Sequence, residues 1–225
     1  MQIGLIGGIG PAATDFYYRN LVKKFAAQNV DLEMTIVHAD TPTLLRNLMA
    51  DDKNAQVRIY DELTRRLANA GATCVGITSI SGHFCIEKFK EKSVLPVVNI
   101  LSSVRREIER RNYSKIGILG TKPVMESKFY AAITSAEIIV PDGELLNDVH
   151  DAYVATATLG SAGIAQRQVF ETACNSFIEH HNVDAIMLGG TDLATVYHAD
   201  NVDFELVDCA EIHVEALFEF YQNSR

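Results

Sequence analysis

Ile3-Gly4-Leu5-Ile6-Gly7 returns, 113 residues later, as Ile116-Gly117-Ile118-Leu119-Gly120. Each is a short apolar run closed by glycine, the form of a fully buried strand that ends in a tight turn. A second pair lies at nearly the same offset, 111 residues: Val75-Gly76-Ile77-Thr78-Ser79 against Ile186-Met187-Leu188-Gly189-Gly190. Both members of that pair follow a helical pattern ending in a turn, Asn69-Ala70-Gly71-Ala72 and His181-Asn182-Val183-Asp184. Two matches at nearly equal spacing point to two similar lobes. The expectation is an α/β protein of two pseudo-symmetric lobes, each a mostly parallel sheet flanked by helices, with a ligand cleft between them at the carboxyl ends of the strands.

The remaining pattern fills in this plan. Met34–Val37, Val97–Val98 and Ile138–Val140 read as further strands, and Phe170, Ala173, Cys174, Phe177 and Ile178 form an apolar stripe at helical spacing. The lobes divide as residues 1–100 and 101–207, with the boundary in the 96–115 region. The last helical segment, 208–225, is expected to pack back onto the first lobe.

Composition narrows the partners. The 225 residues carry a net charge of −9 with Lys and Arg scattered, so no basic face exists for nucleic acid or an anionic membrane. No apolar run is long enough to span a membrane. Met1 leads into an apolar strand with no basic segment before it, the expectation for a cytoplasmic protein. Cys74, Cys85, Cys174 and Cys209 lack any C-x-x-C spacing and read as reduced, buried core residues, Cys74 in a strand and Cys85 within the helix that follows it. His180-His181 closes a helix, and His198-Ala199-Asp200 lacks a third ligand, so no metal site is expected.

Gly7-Gly8-Ile9-Gly10-Pro11-Ala12-Ala13-Thr14 follows the first strand directly. Glycines there permit a tight turn, and N–H groups at a helix start suit a carboxylate or phosphate. The stretch from Gly8 also fits G-x-G-x-x-A, with Asp40 placed to bind a ribose, so a dinucleotide site and an oxidoreductase are an alternative, as is a purely structural turn.

This opening resembles that of the aspartate racemase branch of the aspartate/glutamate racemase superfamily. Thr78-Ser79-Ile80-Ser81-Gly82-His83 stands where that family has Pro-Cys-Asn-Thr-Ala-His. Ile118-Leu119-Gly120-Thr121 with Ser127-Lys128-Phe129-Tyr130 resembles the opening of its second lobe. Gly189-Gly190-Thr191-Asp192 replaces a Gly-Cys-Thr-Glu motif, and Val207-Asp208 with Glu211 and His213 resembles the final turn. The resemblance implies a cofactor-independent racemase or isomerase acting at the α-carbon of an amino acid or small dicarboxylate, and a homodimer.

Racemisation without a cofactor needs a base on each face of Cα, and thiols serve because either one is an acid in one direction. Both thiol positions are changed here, to Ser79 and to Gly190, which has no side chain. His83 is retained, either to activate Ser79 or orient a substrate, or as a hydrogen-bonded structural group. Asp192 stands for the family's glutamate. The resemblance places Gly8, Gly10, Arg46, Ser81, Thr121 and Thr191 as substrate-binding positions. Arg46 reads equally as a solvated surface residue in the loop after Thr41-Pro42. Thr158 takes the place of a binding lysine, for which Lys122 is a stand-in. A catalytically inactive homologue that binds an amino acid or dicarboxylate is a further alternative.

Overall fold

The computed structural model describes residues 1–8 and 10–223. The chain divides into two units, residues 1–100 with the helix from Ala210 onward, and residues 101–209.

In the first unit β1 (Gln2–Gly7), α1 (Pro11–Ala27), β2 (Glu33–His38), α2 (Thr41–Met49), α3 (Lys53–Asn69), β3 (Cys74–Ile77), α4 (Ile86–Lys92) and β4 (Val97–Val98) follow in order. Helix α5 (Ile100–Arg111) leads into the second unit. There β5 (Lys115–Gly120), α6 (Lys122–Glu126), β6 (Glu137–Ile139), α7 (Leu145–Leu159), α8 (Ile164–His181), β7 (Ala185–Gly189) and β8 (Leu206–Asp208) follow, and α9 (Cys209–Asn223) returns to the first unit. The sheets run β2-β1-β3-β4 and β6-β5-β7-β8, all parallel. The repeat therefore extends to strand order: Ile3 pairs with Met34 and Cys74, as Ile116 pairs with Ile138 and Ala185.

The strands at both sheet centres are buried apart from the first residues of β1 and β5, Gln2 and Lys115, as strands covered on two faces must be. Phe177 of α8 lies against Gly117, where an added Cβ would stand 2.6 Å from the ring carbon Cγ. Helix α9 closes the first unit with Phe218 and Tyr221 packed edge-on to Phe25 at 4.9 and 4.8 Å between ring centres. Asp52 caps α3, its carboxylate accepting from the Ala55 N–H at 2.9 Å. Asp52→Ala removes that acceptor and is expected to cost about 1 kcal/mol, read as a fall in urea midpoint with unchanged slope.

Four expectations change in detail. Ile178, read as part of the buried α8 stripe, is 40% exposed on the helix flank, whereas Phe170, Ala173, Cys174 and Phe177 are buried. Val140 lies outside β6, which ends at Ile139 ahead of a proline that has no N–H for the ladder. Cys85 ends a 3-10 turn (Ser81–Cys85) ahead of α4 instead of lying inside the helix. Arg46 sits on α2, where a loop was expected, since Asp40 caps a helix that Pro42 tolerates in its first turn.

Lys128, Phe129, Tyr130 and Ala131 have φ of 49°, 59°, 55° and 53°, one left-handed turn built from side-chain-bearing residues. Such backbone is costly for L-residues. Burial of Phe129 and the Ala131 N–H bond to the Ser127 carbonyl at 2.9 Å hold it. Among the described residues, no helix is long and apolar enough to cross a membrane.

Candidate functional site

Register brings the first unit's candidates together. Ile6 pairs with Ile77, so the turn after β1 and the turn after β3 leave the sheet side by side. Gly8 has φ +115°, and an added Cβ would run into the Ala39 carbonyl and stand 2.8 Å from His38 Nδ1; a side chain is excluded there. Its N–H is already used, donated to Thr14 Oγ1 at 3.1 Å. Thr14 in turn meets Thr78 Oγ1 at 3.2 Å, tying the first turn of α1 to the end of β3. Gly10 (φ 82°) precedes Pro11 at the start of α1, and its carbonyl accepts from the Thr14 N–H at 3.3 Å. A cavity of about 320 Å³ opens beside this turn, lined by Gly8, Pro11, Thr14, Tyr18, Ile36 and His38 among others. Asp40, placed in sequence to hold a ribose, instead accepts from the Thr43 N–H at 2.9 Å, and no observation supports the dinucleotide alternative.

The turn after β3 carries Ser79, Ser81 and His83, all buried. Ser79 Oγ accepts from the Gly82 N–H at 3.4 Å. His83 does not engage the Ser79 hydroxyl. Its Nδ1 lies 2.6 Å from the Ser79 carbonyl oxygen, which only accepts, so Nδ1 carries the proton and Nε2 the lone pair. That Nε2 is buried and has no hydrogen-bond partner among the described residues. His213 of α9 lies edge-on to it, 6.4 Å between ring centres. His213 is fully paired: Nε2–H donates to the Val98 carbonyl at 2.8 Å, and Nδ1 accepts from the Tyr17 hydroxyl at 2.8 Å. Burial pulls His83 down to about 3, with His213 adding to the effect, and pulls His213 down to about 4. Both rings are neutral at ordinary pH.

The four thiols are held protonated by burial. Burial raises Cys74 to about 11 and Cys85 and Cys174 to about 12, and raises Cys209 well above its usual value. All four are free and buried, as the sequence reading had them.

In the second unit Gly120 pairs with Gly189, which sets Thr121 beside Gly190, Thr191 and Asp192. Thr121, Thr191 and Asp192 are buried. The hydroxyl of Tyr153, from α7, donates to Asp192 Oδ2 at 2.9 Å. Burial, and then the Asp192 charge, push the phenol well above its usual range, so it stays protonated. Both cations offered for a ligand have partners nearby in the chain. Lys122 donates to Asn147 Oδ1 at 3.0 Å and pairs with Glu126 at 3.8 Å. Arg46 is exposed and donates to Thr43 Oγ1 on its own helix at 2.9 Å. Thr158 is exposed and donates to the Val154 carbonyl at 2.7 Å.

Tyr17 and Tyr153 were invisible as site residues. Tyr153 falls on the buried stripe of α7 with Val149, Ala152 and Thr156, and Tyr17 on that of α1 with Ala13 and Leu21. Their spacing signals core and nothing more.

Two parallel α/β units of one strand order, each ending its central strands in a hydroxyl-rich turn, define the class of two-lobed racemase folds. The sequence profile of the Asp/Glu/Hydantoin racemase family matches residues 6–217, and the chain belongs to that family. An aspartate racemase homologue from Pyrococcus horikoshii OT3 is similar in structure, with a TM-score of 0.81 and 23% identity over 98% of this chain and 99% of that one. Picrophilus torridus aspartate racemase gives 0.75 at 17% identity over 99% and 95%. Glutamate racemase from Francisella tularensis, in complex with D-glutamate, gives 0.62 at 15% over 99% and 82%. These likenesses are of fold.

Proposed function

We propose that the protein is a cofactor-independent enzyme that exchanges the α-proton of a small amino acid or dicarboxylate, with His83 as its base. One observation carries this reading: the buried, unpartnered lone pair of His83 Nε2, its tautomer fixed by the Ser79 carbonyl. An unmet acceptor inside a protein costs free energy, and a ligand X–H or C–H group directed at it recovers that cost. The low basicity of His83 is a consequence of desolvation. A bound carboxylate supplies the opposite charge that raises an imidazole and stabilises the imidazolium formed when the proton leaves Cα. Ser79 and Ser81, in the same turn as His83, carry hydroxyls suited to a carboxylate, whereas Arg46 donates to Thr43 on its own helix. Four free, buried thiols suit a reducing cytoplasm, and the family resemblance supports a homodimer.

The test is the α-proton signal of D- and L-aspartate and glutamate in deuterated buffer. The wild type is expected to erase it, and His83→Gln to slow exchange at least about 100-fold while ligand-induced thermal stabilisation persists. Ser79→Ala, which leaves the imidazole in place, is expected to cost about tenfold. Undiminished exchange in His83→Gln would refute the assignment. Thermal stabilisation without exchange in the wild type would replace it with a binding function.

A further inference from the structure

Gly190 has φ −140° and ψ 125°, extended backbone that any residue adopts, so its own conformation gives no reason for glycine. The reason is the Tyr153 ring. A Cβ built on Gly190 falls inside it, 2.5 Å from Cζ and 2.8 Å from the hydroxyl oxygen. The ring is buried and its hydroxyl is anchored on Asp192 at 2.9 Å, so it is not a flexible tip that yields to a new side chain. The volume normally available to a side chain at the end of β7 is thus filled from α7.

We propose that Tyr153 closes the acid–base position of the second unit: its ring takes the space of a side chain at 190 and leaves a phenol where a titrating group would stand, so that exchange, with His83 as the one base, proceeds with retention of configuration. The stereochemical part rests on the reading of His83 as the base. The phenol is a poor substitute for a thiol, since losing its proton beside the Asp192 carboxylate in a buried site is disfavoured. The step balances with one group. The Cα–H bond breaks, its proton passes to His83 Nε2, and the electron pair is delocalised into the ligand carboxylate. After exchange with solvent, the same imidazolium returns a deuteron to the face it came from.

Two experiments separate the two parts. The first is a stability cycle on the full chain. Gly190→Ala is expected to lower the thermal midpoint by about 5 °C or more with Tyr153 present. The loss persists with Tyr153→Phe, which keeps the ring, and shrinks below about 2 °C with Tyr153→Leu or Tyr153→Ala, which remove it. Equal losses in all backgrounds would overturn the closure. The second is chiral analysis of the deuterated acid formed by the wild type, expected to keep the configuration supplied. Deuterated product of both configurations would overturn the one-face inference. Absence of exchange with a rescued cycle would refute the His83 reading and leave the closure by Tyr153 supported.

Discussion

Between pH 7 and pH 4 the protein is expected to lose several kcal/mol of stability, most of it through His83 and His213. Both are buried and neutral in the folded chain, with pKa values pulled down from 6.5 to about 3 and about 4. Above about pH 6.5 neither the folded nor the unfolded chain binds these protons, and nothing is lost. As the pH falls below 6.5 the unfolded chain takes them up alone, so unfolding gains about 1.4 kcal/mol per pH unit for each ring. The gain stops for each ring at its folded value. By pH 4 it amounts to about 3 kcal/mol per histidine, a large part of the roughly 5–15 kcal/mol that holds a typical domain together. Glu107 acts lower: hydrogen bonds first from Arg110 and then from Arg111 hold its carboxyl at about 2, so its contribution disappears only as the pH falls below about 4.5. Thermal midpoints measured from pH 7.5 to 4 read the histidine slope. In His213→Gln, where the amide keeps a donor and an acceptor but cannot titrate, that slope is expected to fall by about half. A midpoint that stays flat down to pH 4.5 would mean that neither ring is held neutral.

Phe177→Ala is expected to remove about 3–5 kcal/mol, a fall in thermal midpoint on the order of 10 °C for a chain of this size. Phe177 is 1% exposed and its ring lies on the bare face of Gly117. Nothing nearby can flow into the space, because β5 is a central strand paired on both sides. Phe177→Leu retains much of the volume and is expected to lose less than half as much. Equal losses for the two variants would show that the ring does not fill the gap beneath β5.

The glycine at 117 and the phenylalanine at 177 also show how far the sequence alone reaches. Apolar runs ended by glycine, repeated at offsets of 113 and 111 residues, announce two parallel units, and the structure extends the repeat to identical strand order. The serine at 79 and the glycine at 190 were equally plain, because a residue identity needs no coordinates. Strand ends were legible to within a residue or two, since burial on both faces writes a continuous apolar run.

Partners were not legible. One reading of His83 had it activate the Ser79 hydroxyl, another made it a structural group; the 3-10 turn aims its Nδ1 at the Ser79 carbonyl and leaves Nε2 without a partner among the described residues. Arg46 read equally as a carboxylate ligand or a surface residue, and Asp40 as a ribose ligand only in the dinucleotide alternative; on α2 the first is exposed and donates to Thr43, and the second caps the helix. The left-handed turn at residues 128–131 contains no glycine or asparagine to announce it. Tyr17 and His213 lie 196 positions apart, and Tyr153 and Asp192 lie 39 apart. The sequence by itself determined the fold class, the two units and the absence of cysteine at 79 and 190, because these rest on local periodicity and on residue identity. Only the tertiary structure decided which imidazole keeps a free lone pair and why residue 190 has no side chain, because hydrogen bonds and steric exclusion between distant segments leave no periodic trace along the chain.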